Sequence, residues 1–249
     1  MTDPMTPSSV ALPLVYGSLP WLVPEDLPAV KAFFAECGTP VHFKHGEKLP
    51  FGYQTRLYFI ETGLIATLPV RDGDMTRVCG LFGANTTLGL VMAMRARNAS
   101  RNAAMTLSAQ ALGATTARRV ELGQFDAWLA SVDASQREDI YRNCIAKVEC
   151  QLEGVFLNDT YSVTTRLLWA LYVLFEAHKG PPSERAGLSV LPWPITISEL
   201  SQLIHSTREM TSRAFSDAMK AGICVKEGRR ILVNRRALAQ ALQTVEHTV

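Results

Sequence analysis

Four side chains near the C-terminal end, Arg208, Glu209, Ser212 and Arg213, have the types and the spacing to read the edges of nucleic-acid bases. They stand at i, i+1, i+4 and i+5, which on an α-helix gathers them on one side within two turns. An arginine can donate two hydrogen bonds to O6 and N7 of guanine, a glutamate can accept from the N4 amine of cytosine, and each such contact discriminates by about 1–3 kcal/mol. A carboxylate is a poor ligand for phosphate, so its place between two arginines favours base reading over a generic cationic patch. The competing arrangement is a plain surface ion pair between Glu209 and Arg213 at i, i+4.

These residues need a helix presented at its N-terminal end, and the flanking sequence supplies one. Thr207 suits the N-cap, Thr211, Ala214, Phe215 and Ala218 recur at the spacing of a buried face, and Gly222 suits the C-terminal stop. Ahead of it, the spacing predicts a shorter helix over Ser198 to Ile204, capped by Ser198, with Glu199 at the positive end of its dipole and Leu200, Leu203 and Ile204 facing inward. His205 and Ser206 form the turn between the two. Beyond them, Ile223 to Val225 and Ile231 to Val233 are β-prone runs around Lys226, Glu227, Gly228, Arg229 and Arg230, a hairpin of the kind that forms a wing beside a groove. Thr196, Ser206, Thr207, Arg229 and Arg230 are the expected phosphate contacts. Two helices joined by a tight turn place the start of the second helix in the major groove of double-stranded DNA.

The charge distribution agrees with that reading better than the total does. The 249 residues carry a net charge of only +2. From Ile195 onward there are eight Lys/Arg against five Asp/Glu, a local +3, which leaves −1 for everything before.

Upstream, the texture changes several times. Residues 1–20 are rich in Pro, Ser and Thr and predict a loose arm; Glu25 to Cys37 can form a short helix. From Val41 to about Val120, short β-rich pieces (Leu57 to Glu61, Leu64 to Val70, Val78 to Phe82) are punctuated by glycines, which predicts a small sandwich or barrel. Met94 to Ala104 interrupts it as a polar loop or short helix carrying Arg95, Arg97 and Arg101. From Ala134 to Leu157, Tyr141, Ile145, Val148, Leu152 and Val155 are spaced 4, 3, 4 and 3, one seam of a helix on which a second copy can pack as a parallel coiled coil; packing of the same seam on its own domain is the alternative. Thr164 to His178 predicts a strongly apolar, buried helix, and Gly180 to Pro194 a linker or short strand pair.

Other function classes find little support. No apolar run reaches the ~18–20 residues that cross a bilayer, and Met1 to Ser9 has no basic cluster followed by an apolar core, so a cytoplasmic protein without a membrane partner is expected. The cysteines at 37, 79, 144, 150 and 224 form no CxxC pair, and no metal is indicated. Paired carboxylates, GxSxG, a Walker loop and HExxH are all absent, so no enzyme and no catalytic residue is expected. The rival to DNA binding is a ligand-binding signalling module whose winged tail mediates protein contacts.

The string ITISELSQLIHSTREMTSRAFSDAMKAGIC, residues 195 to 224, resembles without gaps the DNA-binding helices of the cyclic-AMP receptor protein and FNR (Crp/Fnr) family of bacterial transcription regulators, including the R-E-x-x-x-R core at Arg208, Glu209 and Arg213. HGEKLPFGYQTRLYFIETGLIATL at 45–68 is similar to the start of that family's β-roll, 134–157 to its dimerisation helix, and VTTRLLWALYVLF at 163–175 to the helix that leads into the DNA-binding domain. The resemblance implies an α+β chain: an N-terminal arm (1–20), a cyclic-nucleotide-binding-like β-roll or jelly roll (21–133), a dimerisation helix (134–160) and a winged helix-turn-helix domain (161–249). It implies a homodimer that senses a signal in the roll, reads a palindrome with GTGA-like half-sites, and has RNA polymerase as a further partner.

The chain departs from the family at the effector site. Where members that bind cyclic AMP carry Gly-Glu-Leu and, further on, Arg-Ser, this chain has Leu90 after Gly89, and Met105 and Thr106 near the second pair, so the partners of a ribose hydroxyl and a cyclic phosphate are missing. The signal expected is therefore one other than cyclic AMP. Arg95, Arg97 or Arg101 could hold another anion, and a haem would have to take His42, His45 or Cys79 as ligand. His205 stands where the family usually has glycine, which predicts a left-handed backbone that histidine tolerates better than most residues.

Overall fold

The computed structural model describes residues 14–49, 55–71, 74–75, 77–95, 106–178, 183–185 and 188–246. By its internal contacts the chain divides into two units, 21–152 and a second made of 1–20 with 153–249.

In the 21–152 unit, helix α1 (Pro28–Cys37) is followed by strands β1 (Thr39–Phe43), β2 (Lys48–Leu49), β3 (Arg56–Thr62), β4 (Ile65–Arg71), β5 (Asp74–Met75), β6 (Gly80–Phe82) and β7 (Thr86–Leu88). Helix α2 (Leu90–Arg95), strands β8 (Thr106–Ala111) and β9 (Thr115–Glu121), helix α3 (Leu122–Ser131) and the long helix α4 (Ala134–Thr160) complete it, α4 running past the division. Two antiparallel sheets result, β1-β9-β3-β7 and β2-β8-β4-β5, with β6 added along β4.

Strand β3 shows why the roll needs helices outside it. Successive side chains point to opposite faces, yet Leu57, Tyr58, Phe59 and Ile60 are all buried. Tyr58 and Ile60 face a core with Phe43, Leu49, Ile65, Phe82, Leu88 and Ala109. Leu57 and Phe59 face the other way, into a cluster with Val30, Phe33 and Phe34 of α1, Phe125 and Leu129 of α3, and Ile140 and Cys144 of α4. The β3–β4 corner depends on Gly63: its φ is +101°, and a Cβ there would lie 2.3 Å from Thr115 Oγ1.

In the other unit, helix α5 (Val163–Glu176) is apolar around its whole circumference, with every residue from Leu167 to Phe175 buried, as a helix at the centre of a small domain must be. Strands β10 (Ser183–Arg185) and β11 (Leu188–Val190), helices α6 (Ile197–Leu203) and α7 (Arg208–Lys220), strands β12 (Cys224–Glu227) and β13 (Arg230–Val233), and helix α8 (Arg235–Glu246) follow. The 180–194 stretch thus contains a strand pair, and β11 also pairs with β13, so the wing belongs to a four-stranded sheet ordered β10-β11-β13-β12. The described part of the N-terminal segment is tied down: the amides of Val15 and Tyr16 donate to the two oxygens of the buried Glu153 carboxylate at 2.9 and 2.8 Å.

Candidate nucleic-acid interface

Helix α6 begins earlier than its sequence suggested, at Ile197, with Thr196 as N-cap. Thr196 and Glu199 form a capping box: the Glu199 amide donates to Thr196 Oγ1 at 3.1 Å, and the Thr196 amide and hydroxyl donate to Glu199 Oε2 at 2.7 and 2.8 Å. This corrects one expectation, since Ser198 is not the cap. The Thr196 amide and hydroxyl are both engaged by Glu199 in the chain without DNA. The T-x-x-E spacing is itself a capping-box signature and was there to be read.

The turn that follows reverses the chain through His205, whose φ is +48°, the left-handed backbone its position predicts. Ser206, expected at a phosphate, has its amide donating to the Ser201 carbonyl at 3.0 Å and its hydroxyl oxygen buried with no hydrogen-bond partner among the described residues.

Helix α7 starts as expected at Thr207, whose Oγ1 accepts the Met210 amide at 3.2 Å. Thr211, Ala214, Phe215 and Ala218 are buried, with Thr211 Oγ1 donating to the Thr207 carbonyl at 2.8 Å. Arg208, Glu209, Ser212 and Arg213 are all exposed on the other side, joined by Met210, an exposed apolar side chain that sequence reasoning passed over. Arg208 and Arg213 enter no ion pair among the described residues. Glu209 therefore does not sit in the i, i+4 pair with Arg213. Its carboxyl is held below the usual carboxylate range, first by a hydrogen bond from its own amide and then by the Thr207 hydroxyl, with the charges of Arg208 and Arg213 adding to the effect. The open N-terminus of a helix favours a negative charge in this way, and it leaves both guanidinium groups uncommitted.

The wing is a tight hairpin in which Glu227 faces Arg230 across a two-residue loop, and Gly228 takes the left-handed conformation at φ +60° that such a loop requires of its first residue. Lys226, Arg229 and Arg230 are exposed, while Glu227 is held by an ion pair to Arg185 of β10. Arg229 and Arg230 are thus free to meet an external anion, having no ion pair among the described residues.

The helix seam is also where the periodicity puts it. Tyr141, Ile145, Val148, Leu152 and Val155 lie along α4 between 37% and 58% exposed, and Phe156, also exposed, stacks on Tyr16 with ring centroids 6.2 Å apart. Large apolar side chains repeating along one helix face are uncovered in the single chain, against the alternative that they pack on their own domain.

The effector expectations divide. Leu90 is buried in the outer cluster of the roll, beside Phe34 and Phe59. Arg95 ends α2, and Arg97, Arg101 and Met105 lie outside the described residues. Of the side chains considered for haem, His42 is exposed on β1, His45 Nδ1 is 2.8 Å from the Leu112 carbonyl, and the Cys79 thiol bonds Thr67, with burial pushing its pKa up and keeping it a neutral, weaker ligand. No group of three or more His, Cys, Asp or Glu suited to a metal occurs among the described residues, and no described helix is long and apolar enough to cross a membrane.

No protein-family model matches the chain, and no curated protein matches its sequence. Solved structures do match its fold. FixK2 from Bradyrhizobium japonicum is similar with a TM-score of 0.63 at 16% identity, over 82% of this chain and 96% of that one. The c-di-GMP responsive global regulator CLP of Xanthomonas campestris gives a TM-score of 0.63 at 14% identity, over 84% and 99%. A CRP/FNR-family transcriptional regulator from Thermus thermophilus gives 0.63 at 16%, over 84% and 100%. The chain has the fold of the CRP/FNR regulators, an α+β architecture of β-roll, long helix and winged helix-turn-helix.

Proposed function

We propose that this chain is a sequence-specific DNA-binding transcription regulator of the Crp/Fnr type, acting as a homodimer. The observation that carries the reading is the exposed leading end of α7, where Arg208 and Arg213 have no ion-pair partner among the described residues and Glu209 stays ionised between them. In this function Arg208 and Arg213 donate to guanines, Glu209 accepts from cytosine, and Ser212 lies beside them in the groove. Thr207, Arg229 and Arg230 contact phosphates, fixing register without adding sequence information. Two copies pack along the α4 seam, so the operator is a palindrome with GTGA-like half-sites about one helical turn apart. The roll senses a signal other than cyclic AMP, since Leu90 is an apolar side chain packed in the core where a carboxylate would have to face a ribose. RNA polymerase is the partner through which binding would act on transcription.

Selection of bound sites from a random duplex pool by the purified protein tests DNA binding, symmetry and half-site together. Recovery of a two-fold symmetric motif is expected; a pool that stays random at low salt would remove the function.

A further inference from the structure

Arg166, in the first turn of α5, is a cation spent on carbonyl groups. Its Nη1 donates to the carbonyl oxygen of Asn158 at 2.9 Å, of Ile204 at 2.9 Å and of His205 at 3.4 Å. Asn158 is in the last turns of α4, Ile204 is the C-cap of α6, and His205 is the left-handed residue of the turn into α7. Carbonyls at helix ends are those the helix leaves unpaired, and here one cationic nitrogen gathers three of them. Arg166 enters no ion pair among the described residues, and burial pushes its pKa down against the opposing charge of Asp159. Asn158 adds a second tie at the same place, its side-chain amide donating to the Leu203 carbonyl at 3.4 Å. Withdrawing a charge from water for neutral partners is costly, so the arrangement points to a geometric purpose.

We propose that Arg166 is a positioning residue for DNA recognition, joining the last turns of α4 to the turn between α6 and α7 and thereby fixing the pose of the reading helix. The proposal rests on the DNA-reading function above. Base contacts need hydrogen bonds aimed at particular atoms, whereas phosphate contacts tolerate a tilted helix, so loss of the bridge should cost discrimination and spare charge-driven binding.

The test uses the full chain as wild type, R166M, which keeps the length of the stem, and R166K, which keeps a charge. Each is titrated with the site that wild type selects and with a scrambled duplex of equal length. The ratio of the two affinities, taken on one sample, is insensitive to any inactive fraction. R166M should lower that ratio about tenfold, the worth of one good base contact, with affinity for the scrambled duplex and its salt dependence unchanged; R166K should fall between. An unchanged ratio in R166M overturns the proposal, as does loss of the folded far-ultraviolet dichroism in both variants, which would make Arg166 a requirement of the fold. Failure of wild type to select any site sinks the DNA-reading function itself, and this proposal with it.

Discussion

The Lys147 ammonium lies 2.7 Å from Oδ1 of Asp26, and the two side chains are 1% and 0% exposed. The pair pins the segment before α1 onto α4, helped by Lys147 Nζ donating to the Pro24 carbonyl at 3.2 Å and Asn143 Nδ2 to the Glu25 carbonyl at 2.9 Å. Removing one member leaves the other charge buried and uncompensated, so Lys147→Met should destabilise the protein by about 3–5 kcal/mol in urea unfolding, and Asp26→Leu with Lys147→Met should recover most of it. A double variant as unstable as the single one would show that the attraction is not what holds the segment.

Replacing Arg213 with Ala should remove most of the preference for the selected palindrome and leave weak, salt-sensitive binding to any duplex. The joint change Arg229→Ala and Arg230→Ala should act the opposite way. It weakens binding to all sequences alike and lowers the slope of log affinity against log salt by about 1 per lost phosphate contact, read by fluorescence anisotropy. Equal losses on specific and random DNA for Arg213→Ala would take that residue out of base reading.

A charge in the middle of the α4 seam should separate the subunits. Val148→Asp is expected to sediment as a monomer at concentrations where wild type is a dimer, because a coiled-coil seam cannot bury an unpaired carboxylate. The roll of the variant should remain folded, since Val148 is 37% exposed in the single chain and belongs to neither core cluster described for the roll. Dimers that persist would place the interface on another surface.

Glu209 sets a pH dependence with a definite sign. Its folded pKa is lowered, so the carboxylate persists to lower pH than that of an ordinary glutamate and is lost as pH falls through the depressed value. On the proposed reading, discrimination at the cytosine facing Glu209 should therefore be flat from pH 8 down to about 5 and fail only in more acid solution. Loss of that discrimination between about pH 7 and 6 would assign the contact to a histidine instead.

The thiols should divide sharply under a thiol reagent at about pH 8. Burial pushes Cys144 up to about 11, Cys150 to about 12 and Cys224 to about 11, and Cys79 is also raised, while Cys37 is exposed. One fast equivalent is expected from the native protein and five after denaturation, the number of cysteines in the chain.

Most of the candidate surface was legible in the sequence. The face of α7, its Thr207 cap, the wing and the α4 seam all depend on local periodicity or turn chemistry, which a helix or hairpin expresses wherever it is placed. Misreadings arose where neighbouring residues competed for one role. Ser198 and Thr196 could each start α6, and the capping box with Glu199 selects Thr196. Ser206 has the chemistry of a phosphate ligand and the position of one, but its hydroxyl oxygen is buried.

By itself, the order of residues determined which side chains could read bases, which helix faces are apolar and where chain reversals fall, because these are properties of short stretches. Only the tertiary structure decided that β11 joins the wing sheet, that Asp26 finds Lys147, and that Arg166 reaches the ends of two other helices. Apart from Asn158, which is near Arg166 in the chain, those partners lie far apart along the sequence, and their meeting is selected by how the cores close, not by any preference of the residues in between.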